Sequence, residues 1–199
     1  MSSWALVPVK AGSLGKQRLA HSLTGVQRAE LIRLMLAEVL LALSATPAID
    51  RVLVLSSARG HVPQAIEVVG DPGRGLNDSL QAMLPAVRAR GATRLTILFA
   101  DLPLVSAEDV SALIAAAGSA AAVAPDHAGT GTNALTLPLP SPFELKFGPG
   151  SFAAHLGEAA RTGVRLTRVQ RAGLACDIDE PADIEALRAR HDPRYAFLA

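Results

Sequence analysis

The chain has 199 residues, half of them hydrophobic and 4% aromatic, with a formal net charge of +1. That length suits one domain spanning 1–199, and the absence of any basic run or aromatic-studded basic stripe argues against nucleic acid as a partner. Its one cysteine, Cys176, excludes an internal disulfide and is consistent with a reducing cytoplasm.

The N-terminal MSSWALVPVKAG lacks the charged and long apolar regions of a signal peptide. WALVPV (4–9) is predicted to be a strand, and residues 25–44 carry Leu, Ile, Val and Met at helical spacing. Within that helix LMLAEVLLAL is the longest apolar segment, but it contains Glu38 and is too short to span a bilayer. A cytoplasmic protein with no membrane partner is therefore expected. RVLVLS (51–56) and IEVV (66–69) read as strands. NDSLQAMLPAVRARG (77–91) reads as a helix capped by Asn77 and stopped by Gly91, with Pro85 expected to kink or break it. RLTILF (94–99) is a strand, and SAEDVSALIAAAG (106–118) is a helix capped by Ser106. AAVAP (121–125) and NALTLP (133–138) are strands, SFAAHLGEAARTG (151–163) a helix, VRLTRV (164–169) a strand and 181–190 a helix. Apolar strands alternating with helices predict an α/β fold with a mainly parallel central sheet.

In such sheets ligands bind beyond the carboxyl ends of the strands. The unusual polar stretches here all follow strands: KAGSLGKQRLA, GDPGRGLN, ADLP, DHAGTGTN and CDIDEPAD. In the first, Gly12 and Gly15 let backbone N–H groups approach a phosphate, and Lys10, Lys16 and Arg18 can neutralise it. A solvated basic loop is the plainer reading, since neither the P-loop spacing nor G-x-G-x-x-G is present. In the second, Gly73 and Gly75 allow a tight turn. Asn77 or Ser79 could then meet a base or ribose, beside the capping role. GTGTNAL and FGPGSF are further loops able to expose backbone N–H groups, and Ser151 opens a helix, a ready anion site.

Asp101 ends an apolar strand, where a buried charge is costly unless it is paired or holds a metal. Asp177 and Asp179 are two apart and so share a side in an extended segment. Asp179 could instead cap the helix that follows. Three carboxylates at strand ends suit Mg²⁺, or Mn²⁺, with Asp126 a weaker fourth. His155 could touch a ligand or simply pack. Cys176 reads as a small buried residue, and no G-x-S-x-G elbow supports hydrolase chemistry. Glycine loops, cations and carboxylates together suggest a nucleotide with Mg²⁺. A phosphorylated second substrate is mostly dianionic at neutral pH, its second pKa being near ~6, so nucleotidyl transfer needs no enzyme nucleophile.

VPVK with KQRLA, GLN, ADLP, GTGTNAL, FGPGSF with His155, and DIDEPAD occur in that order from residue 7 to 183. In this combination the chain resembles the 2-phospho-L-lactate guanylyltransferase family of deazaflavin coenzyme F-420 biosynthesis. The resemblance implies a nucleotidyltransferase fold, GT-A-like and Rossmann-like, with a mainly parallel mixed sheet flanked by helices. It implies GTP and Mg²⁺, and an acceptor that is a small phosphorylated carboxylic acid: 2-phospho-L-lactate, phosphoenolpyruvate or 3-phosphoglycerate. By that likeness Asp101, Asp177 and Asp179 hold metal, and Lys10, Lys16 and Arg18 act with Asp101. Pro8, Gly12 and Gly15 face the triphosphate; Gly75, Leu76, Asn77 and Ser79 face the guanosine. Thr132, Asn133, Gly148, Gly150 and Ser151 receive the acid. The labile product suggests hand-off to the next enzyme. KQRL and GLNDSL depart from the family's usual KSRL or KTRL and GLNAAL, which leaves nucleotide choice open. The rival readings are a CTP- or GTP-dependent enzyme acting on a sugar phosphate or molybdopterin, and a non-catalytic GTP-binding subunit.

Overall fold

Seven strands form one sheet in the computed structural model, which describes residues 2–9 and 16–198. They are β1 (Ser3–Pro8), β2 (Arg51–Ser56), β3 (Glu67–Gly70), β4 (Arg94–Leu98), β5 (Ala121–Pro125), β6 (Thr132–Pro138) and β7 (Leu166–Arg168). Their order across the sheet is β3-β2-β1-β4-β6-β5-β7. Every neighbouring pair is parallel except those of β6, which runs antiparallel to both β4 and β5. The expected strands are present, β2 and β5 with the bounds expected and the others with ends displaced by a residue or two. The mixed character of the sheet comes from β6, which returns through a hairpin at residues 126–131.

Strand residues alternate between two cores because successive side chains point to opposite faces. Trp4, Leu6, Leu95 and Ile97 face one layer, which holds α2 (Leu76–Ala89) and α4 (Ser151–Thr162). Ala5, Val7, Leu98 and Ala134 face the other, with α1 (Gly25–Ser44) and α3 (Ala107–Ala117). A third cluster joins Leu19, Leu31, Met35, Ile178, Ile184 and Leu198. It ties the 3-10 turn Gln17–His21 and the C-terminal helix α6 (Pro181–Arg188) to the N-terminal half of α1.

The helices show three departures from the sequence reading. The N-cap of α2 is Gly75, not Asn77; with φ 95° it takes a conformation that favours glycine. Asn77 lies inside the helix, and its amide is spent elsewhere. Pro85 does not interrupt α2, which continues to Ala89, and that proline is exposed. Glu180, not Asp179, caps α6 and forms a capping box with Asp183. Ser106 caps α3 as expected.

Beyond β7 the chain makes a short helix, α5 (Ala172–Ala175), before reaching the carboxylate pair. Arg171 donates to Asp109 of α3 at 2.7 Å. Gly173 packs directly on this contact. A Cβ there would run into the Asp109 carboxylate and lie 2.6 Å from the Leu104 carbonyl oxygen. Gly173→Ala is thus expected to lower stability by about 2–3 kcal/mol, the scale of overpacking a close-packed site. Urea midpoints measure this; coincident midpoints would show that the segment relaxes freely.

Candidate active site

Three carboxylates meet at the carboxyl rim of the sheet. Asp101 sits just past β4, and its backbone oxygen accepts from Ile178 N–H at 3.2 Å. Ile178 is fully buried in the third core cluster. Its burial turns Asp177 and Asp179, one on either side, the other way, as period-2 alternation requires. The Lys16 ammonium lies between two of the carboxylates, 2.7 Å from Asp101 Oδ2 and 2.6 Å from Asp179 Oδ1. Asp177 accepts from Asn133 Nδ2 at 3.0 Å, and the same nitrogen donates to the Leu174 carbonyl. Asn133, at the start of β6, therefore positions Asp177.

The electrostatics follow from this crowding. Burial raises the pKa of Asp177, and the Asp101 and Asp179 charges add to the effect against the opposing Asn133 hydrogen bond. Burial alone would lower the pKa of Lys16, but the Asp101 and Asp179 carboxylates outweigh it and hold the ammonium form. Two carboxylates converging on one cation, with a third beside them, form a hard oxygen donor set of the kind Mg²⁺ takes. Among the described residues no three acidic, histidine or cysteine side chains close on a single metal-sized point. The space between Asp101 and Asp179 is filled by the ammonium group.

Of the other expected residues, Lys10, Gly12 and Gly15 lie outside the described residues. Pro8 ends β1 on the same rim. Arg18 is exposed and stands 3.6 Å from the exposed Glu180, a pair worth little in water. Gly75 and Leu76 open α2. Ser79 is buried, and its hydroxyl donates to Asp71 Oδ1 at 2.6 Å. Asp71 also accepts from Gly73 N–H; the Ser79 bond, then this one, hold its carboxyl below the usual range. Together they fix the Gly73–Gly75 turn. Asp126 bonds Thr130 and Gly131 N–H inside its own hairpin loop, so its carboxylate shapes a turn. Cys176 is half-buried, and burial raises its thiol pKa.

Thr132 and Ser151 are both buried and lie across one loop crossing. Phe152 N–H donates to the Thr130 carbonyl at 3.1 Å, and Ser151 N–H to that of Gly148 at 3.0 Å. Gly148 and Gly150 have φ of 127° and 71°, which only glycine adopts readily. Thr132 Oγ1 is 3.0 Å from His155 Nδ1.

Sequence reasoning missed the support beneath this loop. Residues 143–147 form no ladder with any strand, yet each backbone N–H meets a side chain. Gln81 and Asn77, one turn apart on α2, accept from Leu145 and Phe147 N–H at 2.9 and 2.7 Å. Glu158 and His155 of α4 accept from Glu144 and Lys146 N–H at 3.0 and 3.1 Å. Ser141 Oγ accepts from Phe143 N–H at 3.2 Å. The available signal was polar residues at helical spacing on faces otherwise bound for the core. A cleft of about 360 Å³ lies beside this segment, lined by Asn77, Asp78, Gln81 and residues 144–147. None of the three carboxylates lines it.

Residues 3–195 match the model of the family described as "Guanylyl transferase CofC like". The chain belongs to this guanylyltransferase family. It is 39% identical to a phosphoenolpyruvate guanylyltransferase of Sphaerobacter thermophilus over 97% of this chain and 95% of that one. It is 40% identical to one of Rubrobacter xylanophilus over 98% of each. Among solved structures, a protein of Desulfovibrio desulfuricans G20 assigned to the nucleotide-diphospho-sugar transferases superposes with a TM-score of 0.79. That match spans 100% of this chain and 94% of the other at 16% identity, and it bears on fold alone. The chain is thus a nucleotidyltransferase in fold and a guanylyltransferase by family. None of its described helices is long and apolar enough to cross a membrane.

Proposed function

We propose that this guanylyltransferase joins GMP from GTP to a small phosphorylated carboxylic acid, releasing pyrophosphate. Phosphoenolpyruvate is the acceptor put first, because both relatives above carry its name. 2-Phospho-L-lactate and 3-phosphoglycerate offer the same two anionic groups. The observation that carries the reading is the convergence of Asp101 and Asp179 on one cationic centre with Asp177 beside it.

Asp101, Asp177 and Asp179 would hold Mg²⁺, with Mn²⁺ an allowed substitute. Bound there, the metal would neutralise phosphoryl charge and help to align the reactants. The residues of the chain supply the rest. The acceptor phosphate is mostly dianionic at neutral pH, so no protein base is needed. One of its oxygens attacks the α-phosphorus of GTP, the bond to the β-phosphate oxygen breaks, and pyrophosphate leaves. Lys16, with Lys10 and Arg18, offsets triphosphate charge. Pro8, Gly12 and Gly15 border the triphosphate. Gly75, Leu76, Asn77 and Ser79 form or brace the turn that receives guanosine. Thr132, Gly148, Gly150 and Ser151 receive the acid through hydroxyl and backbone N–H groups, and Asn133 orients Asp177. The product is a reactive phosphoanhydride, suited to direct transfer to the next enzyme, in the reading of coenzyme F-420 biosynthesis.

The test is pyrophosphate release with Mg²⁺ and GTP against each of the three acids, with CTP and ATP as controls. Release with GTP and phosphoenolpyruvate is expected. GTP binding without release on any acid would overturn the acceptor class and favour a sensor.

A further inference from the structure

His155 is fully buried between the rings of Phe143 and Phe147, whose centroids lie 5.7 and 4.9 Å from its own. Both of its ring nitrogens are engaged. Nε2 lies 3.1 Å from Lys146 N, and a backbone N–H can only donate, so Nε2 must accept. A neutral imidazole accepting at Nε2 carries its proton on Nδ1. That proton points to Thr132 Oγ1 at 3.0 Å. The Thr132 hydroxyl is thereby used as an acceptor, and its own proton must go elsewhere. No acceptor for it stands among the described residues. The neutral state is the one burial favours: it lowers the His155 pKa to about 4, with nearby Glu158 opposing and Lys146 assisting.

We propose that His155 is a positioning residue for the acceptor: its Nδ1–H commits the Thr132 hydroxyl proton to an anionic oxygen of the acid, while Nε2 holds Lys146 and so sets the approach to Gly148. The proposal rests on the reading of Thr132, Gly148 and Ser151 as the acid's pocket. Without the imidazole N–H, Thr132 could turn its proton inward and present lone pairs to an anion, which repel it.

Two measurements test this. In protein labelled with ¹⁵N in the histidine rings and free of ligand, the His155 signals are identified by their loss in His155→Gln. They should show a protonated Nδ1 and a bare Nε2 at pH 7. An Nε2–H tautomer or an imidazolium at that pH overturns the proposal. The second is a double-mutant cycle on acceptor KM. Glutamine retains an acceptor near the Nε2 position but lacks the Nδ1–H. His155→Gln and Thr132→Val should each raise acceptor KM about tenfold, the scale of one hydrogen bond to a charged group. The KM for GTP should stay within about twofold. The double variant should be no worse than Thr132→Val alone, because both changes remove one shared interaction. Additive losses, or an equal rise in both KM values, overturn the proposal. If the wild-type protein turns over none of the three acids, the function reading fails, while the ring-nitrogen signals still decide the hydrogen-bond arrangement.

Discussion

Asp101→Asn is expected to lower pyrophosphate release by on the order of 10³-fold, with the unfolding free energy from urea titration changed by less than about 0.5 kcal/mol. The two halves of this result have separate physical sources. Asparagine has the size of aspartate, and the backbone bond from Ile178 N–H to the residue 101 carbonyl does not depend on the side chain. Lys16 keeps Asp179 as a charged partner and can still donate to the amide oxygen. Packing and hydrogen bonding therefore survive. What is lost is one negative charge at the point where Asp101 and Asp179 converge, and hard cations bind oxygen ligands largely through that charge. Turnover should recover in part as Mg²⁺ is raised, and Mn²⁺ binding, followed by calorimetry, should weaken in parallel. Wild-type activity in this variant would remove Asp101 from the chemistry.

Lys16→Met should move activity and metal affinity in opposite directions. Lys16 has a left-handed backbone, with φ 58°, and a side chain only 11% exposed. Methionine at the same φ fills the volume without the charge. Release of pyrophosphate is expected to fall by roughly 10²-fold, the effect of losing one preorganised charge near a developing anion. In the absence of nucleotide, Mg²⁺ or Mn²⁺ should bind about tenfold more tightly, the equivalent of one pKa unit of electrostatic interaction. The reason is that no ammonium group then stands between Asp101 and Asp179. Damage to the site as a whole would weaken both properties together. Unchanged metal affinity in Lys16→Met would show that the ammonium and the metal do not share a position.

The carboxylate rim was legible because its signals are local. Asp101 follows an apolar run, and the alternation in DID turns two carboxylates away from the core that buries Ile178. The α/β class was legible for the same reason, as apolar runs of strand length alternate with helical spacing. Other features were not local. Nothing in NALTLP distinguishes a parallel strand from an antiparallel one, and only pairing with β4 and β5 sets its direction. Asn77 reads as a cap because its neighbours suit one, yet its amide bonds Phe147, 70 positions away.

By itself, then, the sequence determined the alternation of strands and helices, the three rim carboxylates and the glycine turns, all consequences of near-neighbour sterics and period. The tertiary structure alone decided that Lys16 would stand between Asp101 and Asp179, that Asn133 would orient Asp177, and that two helices would hold residues 143–147 by their side chains. Those contacts join residues from 9 to 163 positions apart, most of them more than 40, and a hydrogen bond formed across such a separation leaves no mark in the local pattern of either partner.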